Sequence, residues 1–139
     1  MKQFEFQIEK CHLLRLDYGK NLVDQLSSFL EKEGIEAAYV SGIGAVKNAE
    51  IGYYDQEKKE YVKRRIEEEL EILSLSGNVS LKDGRPYPHI HVVLGKDGNV
   101  YAGHLFSAEV FACEIFLLVL DGEAPVREFD RQTGLFLWS

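Results

Sequence analysis

Asp97-Gly98 stands between two runs of β-favouring residues, "HIHVVLG" (residues 89–95) and "NVYAGHL" (residues 99–105). Asp-Gly tolerates the two positive φ angles of a type I′ turn, so the dipeptide reads as the tip of a two-residue β-hairpin. Such a turn sets the register of both flanking strands. Lys96 then opposes Asn99, Gly95 opposes Val100, Val93 opposes Ala102, and His91 opposes His104. Directly opposed residues hold their Cβ atoms about 5 Å apart. His89, two residues before His91, lies on the same face of the same strand. Three of the four histidines are thereby predicted to meet in one patch. The inference is sensitive to register, since one bulged residue would send His104 to the other face.

Three converging imidazoles suit a borderline cation, zinc or another divalent transition metal. Three histidine ligands leave a fourth position for water, a carboxylate or a substrate, as catalytic zinc sites do, whereas structural sites usually close with four. Val93, Val100 and Ala102 share the face and are expected to keep it partly dry. Without a metal, the cluster would bear a desolvation and protonation penalty. An H-x-H pair alone is commonly two unrelated, hydrogen-bonded histidines; the cross-strand partner is what favours the metal. Glu71, Glu109 and Glu114 are candidates for a fourth ligand or an acid–base group. His12 has no such company and reads as structural.

Elsewhere one helix is clear. "NLVDQLSSFLEKEG" puts Leu22, Val23, Leu26, Phe29 and Leu30 on one stripe, with Asn21 as N-cap and Gly34 as the left-handed terminator. The remainder reads as strand. "FEFQIEKCHLLRLD" opens the chain, and "EAAYVSGIGAV" is bent by Gly42 and Gly44. "AEIGYYD" and "EYVKRRI" flank the polar turn "QEKK", and "LEILSLSGNVSL" carries a bulge at Gly77. "EVFACEIFLLVLDG" reads as a central strand buried on both faces, with a buried helix as the alternative. The tail "PVREFDRQTGLFLWS" adds a turn and a last edge strand. The expectation is one α+β domain over residues 1–139, with one or two helices on a bent, mostly antiparallel sheet.

Charge narrows the partners. Sixteen basic residues against 23 acidic ones give a net charge of −7, a field that repels polyanions. The local basic patch Lys58, Lys59, Lys63, Arg64 and Arg65 is followed at once by "EEELE" and reads as a solvated edge. No apolar run spans a bilayer, and "MKQFEFQIEK" lacks an apolar core for a signal peptide, so a cytoplasmic location is expected. Cys11 and Cys113, far apart and without a C-x-x-C, are expected to be buried free thiols. "SGIGAV" lacks the third glycine of a dinucleotide fingerprint and reads as a close backbone approach. The aromatic residues, Tyr87, Tyr101 and Phe106 among them, read as core and interface.

"YVSGIGAV", "LEILSLSGNVSL" and the glycine-bearing hairpin together resemble the PPC domain of plants and prokaryotes, with "EILSLSG" (residues 71–77) the most specific piece. The resemblance runs along nearly the whole chain and implies a bent antiparallel sheet and a homotrimer. In plants the similar domain follows an AT-hook in nuclear DNA-binding proteins. Here Asp83 stands where the hook's arginine would precede Gly84-Arg85-Pro86, which argues against direct DNA binding. Stand-alone prokaryotic members often carry the histidine trio as a metal site. The fold is also similar to that of acetolactate decarboxylase, whose zinc is held by an H-x-H pair and a third histidine one strand later, a spacing that His89, His91 and His104 match. The resemblance thus implies a trimeric, zinc-binding protein that holds or converts a small carbonyl-bearing or oxygen-rich ligand, as a lyase or hydrolase if it is an enzyme. A DNA-associated regulator and a scaffold acting through its trimer are the alternatives.

Overall fold

The expected helix forms, and only that one. In a computed structural model describing residues 1–139, α1 spans Leu22–Glu33. The Asn21 side chain accepts hydrogen bonds from the backbone N–H groups of Val23 and Asp24, and Gly34 ends the helix at φ 66°. Leu22, Leu26 and Leu30 are fully buried beneath it, each contributing about 1.5–3 kcal/mol by leaving water. No helix is long and apolar enough to cross a membrane.

Seven strands complete an α+β architecture: β1 (Gln7–Arg15), β2 (Ala38–Asp55), β3 (Glu60–Lys82), β4 (Arg85–Lys96), β5 (Asn99–Asp121), β6 (Val126–Phe129) and β7 (Phe136–Trp138). All pairings are antiparallel except the short β3–β6 contact. β2 pairs with β3, β3 with β4, β4 with β5, and β5 with β2, so these four close into a ring. β1 extends the sheet from the later half of β5. Four strands close only if they curve sharply, and bulges supply that curvature. β2 shifts register between Gly42 and Gly44 and again between Lys47 and Ala49, where Asn48 takes a φ of 52°.

These bulges explain why the strands are longer than their sequence pattern suggests. "EAAYVSGIGAV" and "AEIGYYD" are halves of β2, "EYVKRRI" and "LEILSLSGNVSL" are halves of β3, and "NVYAGHL" and "EVFACEIFLLVLDG" are halves of β5. Each bulge breaks the two-residue alternation that makes a strand legible. Against β4 the β3 register shifts between Ile72 and Ser74, not at Gly77. Gly77 instead allows a close approach, since a Cβ there would lie 2.2 Å from the carbonyl oxygen of His89. β5 is central but not buried on both faces: Cys113, Ile115 and Leu117 point into the core, while Phe116 on the other face is 42% exposed. The tail forms the hairpin β6–β7 rather than one edge strand.

His12 packs edge-to-face on Phe29 of α1 with ring centroids 5.3 Å apart, a helix–sheet contact. Both cysteines are free, but only Cys113 is buried; Cys11 lies exposed on β1.

Candidate metal centre

Asp97 and Gly98 adopt φ angles of 49° and 81°, the type I′ combination. The register follows without a bulge from Lys96–Asn99 to His91–His104. His104 also faces Gly52 of β2, and His89 faces Asn78 of β3. The trio therefore sits where β4 is clamped between β3 and β5. One ligating nitrogen from each of His89, His91 and His104 lies within 4.8 Å of the others. The ring centroids are 5.1, 5.1 and 5.5 Å apart.

The burial of the three differs, and so does their electrostatics. His104 is buried and only 7% exposed, His89 is half-buried, and His91 is open to solvent. Burial is the main cause that pushes the His89 and His104 pKa values down to about 4, helped by Arg127 and by neighbouring histidines. Both imidazoles are thus neutral near pH 7, each with one in-plane lone pair, the form in which histidine binds a cation. His104 Nδ1 is fully buried with no hydrogen-bond partner. Buried polar nitrogens without partners are rare, and a divalent ion among the three imidazoles would take up lone pairs that the cluster leaves unused. The residues present fit a metal.

The dryness of the site has a different origin from the expected one. Val100 is 62% exposed and Ala102 is also exposed. Aromatic rings do the shielding: Phe106 lies 4.6 Å and Tyr61 5.2 Å from the His104 ring, and Tyr87 lies 6.4 Å from that of His89. Tyr87 and Phe106, read from sequence as core and interface, are walls of the site.

None of the candidate carboxylates joins the trio. Glu71 faces Ala45 and Gly95, toward the hairpin tip. Glu114 faces Arg15 and Ile43, ten positions beyond His104 on β5, or roughly 30 Å of strand at about 3.3 Å per residue. Glu109 is held by Lys47 and Asn48, both at 3.1 Å, and the two bonds keep its carboxyl below the usual range. The position left free by three histidines is not filled by an acid of the same chain.

Arg127, on β6, is the residue that sequence reasoning missed. Its Nε donates to Ser80 Oγ at 2.8 Å, Nη1 to the Phe136 carbonyl at 3.1 Å, and Nη2 to Asn78 Oδ1 at 3.0 Å. Nη2 also lies 3.3 Å from His89 Nδ1. A guanidinium has only donors, so Nδ1 must be the acceptor. A neutral imidazole has one in-plane lone pair, so a metal on His89 and this Arg127 contact exclude each other.

The profile of the Plants and Prokaryotes Conserved (PCC) domain, also written PPC, matches residues 3–121. The chain belongs to this family. The PCC match ends before β6, so Arg127 lies beyond it. Among solved structures, a metal-containing protein from Archaeoglobus fulgidus is 70% identical, with a TM-score of 0.98 over 100% of this chain and 99% of that one. A plant- and prokaryote-conserved protein from Pyrococcus horikoshii is 45% identical, with a TM-score of 0.95 over 100% and 97% of the two chains. A candidate DNA-binding protein from Bacteroides thetaiotaomicron is 25% identical, with a TM-score of 0.87 over 96% of each. None of the curated proteins matches the sequence with significance.

Proposed function

We propose that this PCC-domain protein is a cytoplasmic homotrimer that binds zinc through His89, His91 and His104 and presents the open position to a small oxygen-rich or carbonyl-bearing molecule. The observation that carries the reading is the convergence of His89, His91 and His104, one nitrogen of each within 4.8 Å of the others, with His104 Nδ1 buried and satisfied by nothing in the chain. The metal-containing relative at 70% identity supports it. All-imidazole donors suit zinc among the divalent metals. When bound, such an ion acts as a Lewis acid on a carbonyl or a water. The chain's own part is to hold two neutral imidazoles in a dry wall of Tyr61, Tyr87 and Phe106, and to leave His91 facing the solvent by which a ligand enters. Lyase or hydrolase chemistry on that ligand is the extension of this reading.

Trimerisation is supported by the face of β1, β2 and β5 that α1 leaves bare. Leu13, Ile43 and Phe116 are 80%, 59% and 42% exposed and border a shallow cavity of about 470 Å³. A contiguous apolar patch of this kind marks an interaction surface. Direct DNA binding is disfavoured by the basic patch itself. Lys58 pairs with Asp55 at 3.9 Å, Lys63 with Glu50 at 2.8 Å and Arg65 with Glu67 at 3.3 Å, so much of its charge is neutralised locally.

Elemental mass spectrometry of tag-free protein tests the metal. About one zinc per chain, absent from the His89→Ala/His104→Ala double variant, is expected. Wild type that takes up no metal after incubation with zinc and dialysis would overturn the reading.

A further inference from the structure

We propose that the cavity beneath the β6–β7 hairpin, bordered by His89, is a receptor for a small oxoanion. The anionic group, a carboxylate or a phosphate, sits on Arg127, Lys82 and Lys59, and another oxygen of the same molecule reaches the three-histidine centre. That second contact, and the linkage between the two sites, rest on the metal reading above; the anion seat does not.

The cavity measures about 340 Å³, within the range of small-molecule sites. Its charged walls are Lys59, Lys82 and Arg127 with a single acid, Glu60, and the neutral His89 completes that side. In a chain of net charge −7 this is a local excess of positive charge. The three cations are also without acidic partners. Lys59 donates to the Arg131 carbonyl at 3.1 Å, and Lys82 lies over the rings of Phe136 and Tyr87 at 4.1 and 5.3 Å. Arg127 has only the neutral acceptors Ser80, Asn78, Phe136 and His89. Other cations of the chain do find carboxylates, Lys47 on Glu109 and Lys63 on Glu50 among them. A half-buried guanidinium held by neutral groups retains an uncompensated charge, which an anion entering the cavity would neutralise.

The arginine is also fixed in advance. Bonds to three elements and a place against the Tyr87 and Trp138 rings, at 5.5 and 5.6 Å, immobilise a planar donor fork. When a cation takes the His89 lone pair, the Nη2 hydrogen aimed at Nδ1 loses its acceptor and is free for the incoming oxoanion. The two sites are thereby linked, each favouring occupation of the other.

Calorimetric titration with inorganic phosphate and with malonate decides the matter. It is run on zinc-loaded and on chelator-stripped, dialysed protein, for wild type, Lys82→Gln and Arg127→Gln. We expect one probe or both to bind even the stripped form, more weakly than the loaded one. Removing one charge-assisted donor should weaken binding by about ten-fold for Arg127→Gln and about three-fold for Lys82→Gln. A response to phosphate alone assigns a phosphorylated ligand, and a response to malonate alone assigns a carboxylate. Should Arg127→Gln fail to fold, Lys82→Gln decides alone. Binding to stripped protein with this dependence upholds the receptor even if no zinc is ever found. No binding of either probe to either form overturns it, as does binding that both variants leave unchanged, because the anion would then sit elsewhere, and binding to the loaded form alone, because the anion would then be a ligand of the metal only.

Discussion

Arg127 Nη2 and His89 Nδ1 meet at 3.3 Å, joining the β6–β7 hairpin to β4, 38 residues earlier in the chain. The contact occupies the lone pair that a metal would use and places a fixed positive charge beside the site. Removing that charge should therefore strengthen metal binding. In the absence of an anion, Arg127→Gln is expected to raise zinc affinity by roughly ten-fold, measured by competition with a chromogenic chelator. Weaker zinc binding in a folded variant would show that Arg127 orients His89 for the metal instead.

The metal-free protein should be sensitive to mild acid. His89 and His104 have pKa values near 4 in the folded chain, chiefly through burial, against about 6.5 when unfolded. Between those values the unfolded state binds more protons. Stability is then flat above about pH 6.5 and falls as the pH drops toward 4. Urea denaturation of metal-free wild type and His104→Ala at pH 7.5, 6 and 5 checks this. The variant should lose less across the series, and parallel losses in the two proteins would refute the assignment.

The two thiols should behave differently. Burial foremost, and then the neighbouring Glu114, push the Cys113 thiol up to about 11, so it has almost no thiolate at neutral pH. Ellman's reagent is expected to miss Cys113 in the folded protein and to count both cysteines in guanidinium. Reaction of Cys113 in native Cys11→Ser protein would contradict the packing of β5.

Gly77 links backbone spacing to the site. A methyl group there would press on the His89 carbonyl, forcing β3 and β4 apart at the first ligand. Gly77→Ala should cost about 1–3 kcal/mol and reduce zinc content or affinity. Leu26→Ala, in the buried helix stripe, should cost about 2–5 kcal/mol and leave zinc stoichiometry intact. Equal effects on zinc would mean that Gly77 acts only through global stability.

Assembly should depend on the bare sheet face. Ile43→Glu places a charge on an exposed apolar residue of β2. It is expected to convert a trimer to monomers in light scattering while leaving the circular dichroism spectrum unchanged. An unaltered mass would move the interface elsewhere.

The legible part of the site was local. Asp97-Gly98 alone dictated the pairing of His91 with His104, because a two-residue turn leaves the strands no freedom of register. A second signal of the same kind is Asp83-Gly84, whose φ angles of 53° and 73° make the turn that brings Lys82 of β3 opposite Arg85, the first residue of β4. Arg127 had no comparable signal. It reaches the site through the parallel contact of Leu81 and Lys82 with Val126 and Arg127, a pairing that no turn dictates. Glu71 and Glu114 were misplaced for the same reason, since a carboxylate's neighbours depend on which strands lie side by side around the ring.

The ring and the trio differ in how much chain each must gather. His89, His91 and His104 all belong to one hairpin, whose tip needs only a two-residue reversal. Closing β2 onto β5 instead brings together residues such as Asn48 and Glu109, 61 positions apart, and such long-range closure is the slow event in folding. The order of assembly is thus built into the topology: β4 and β5 zip early from Asp97-Gly98, and the seam that buries His104 closes late. During refolding, amide protection in residues 89–105 should appear before protection across the β2–β5 seam, so that the three histidines are aligned before the ring of strands that shelters them exists.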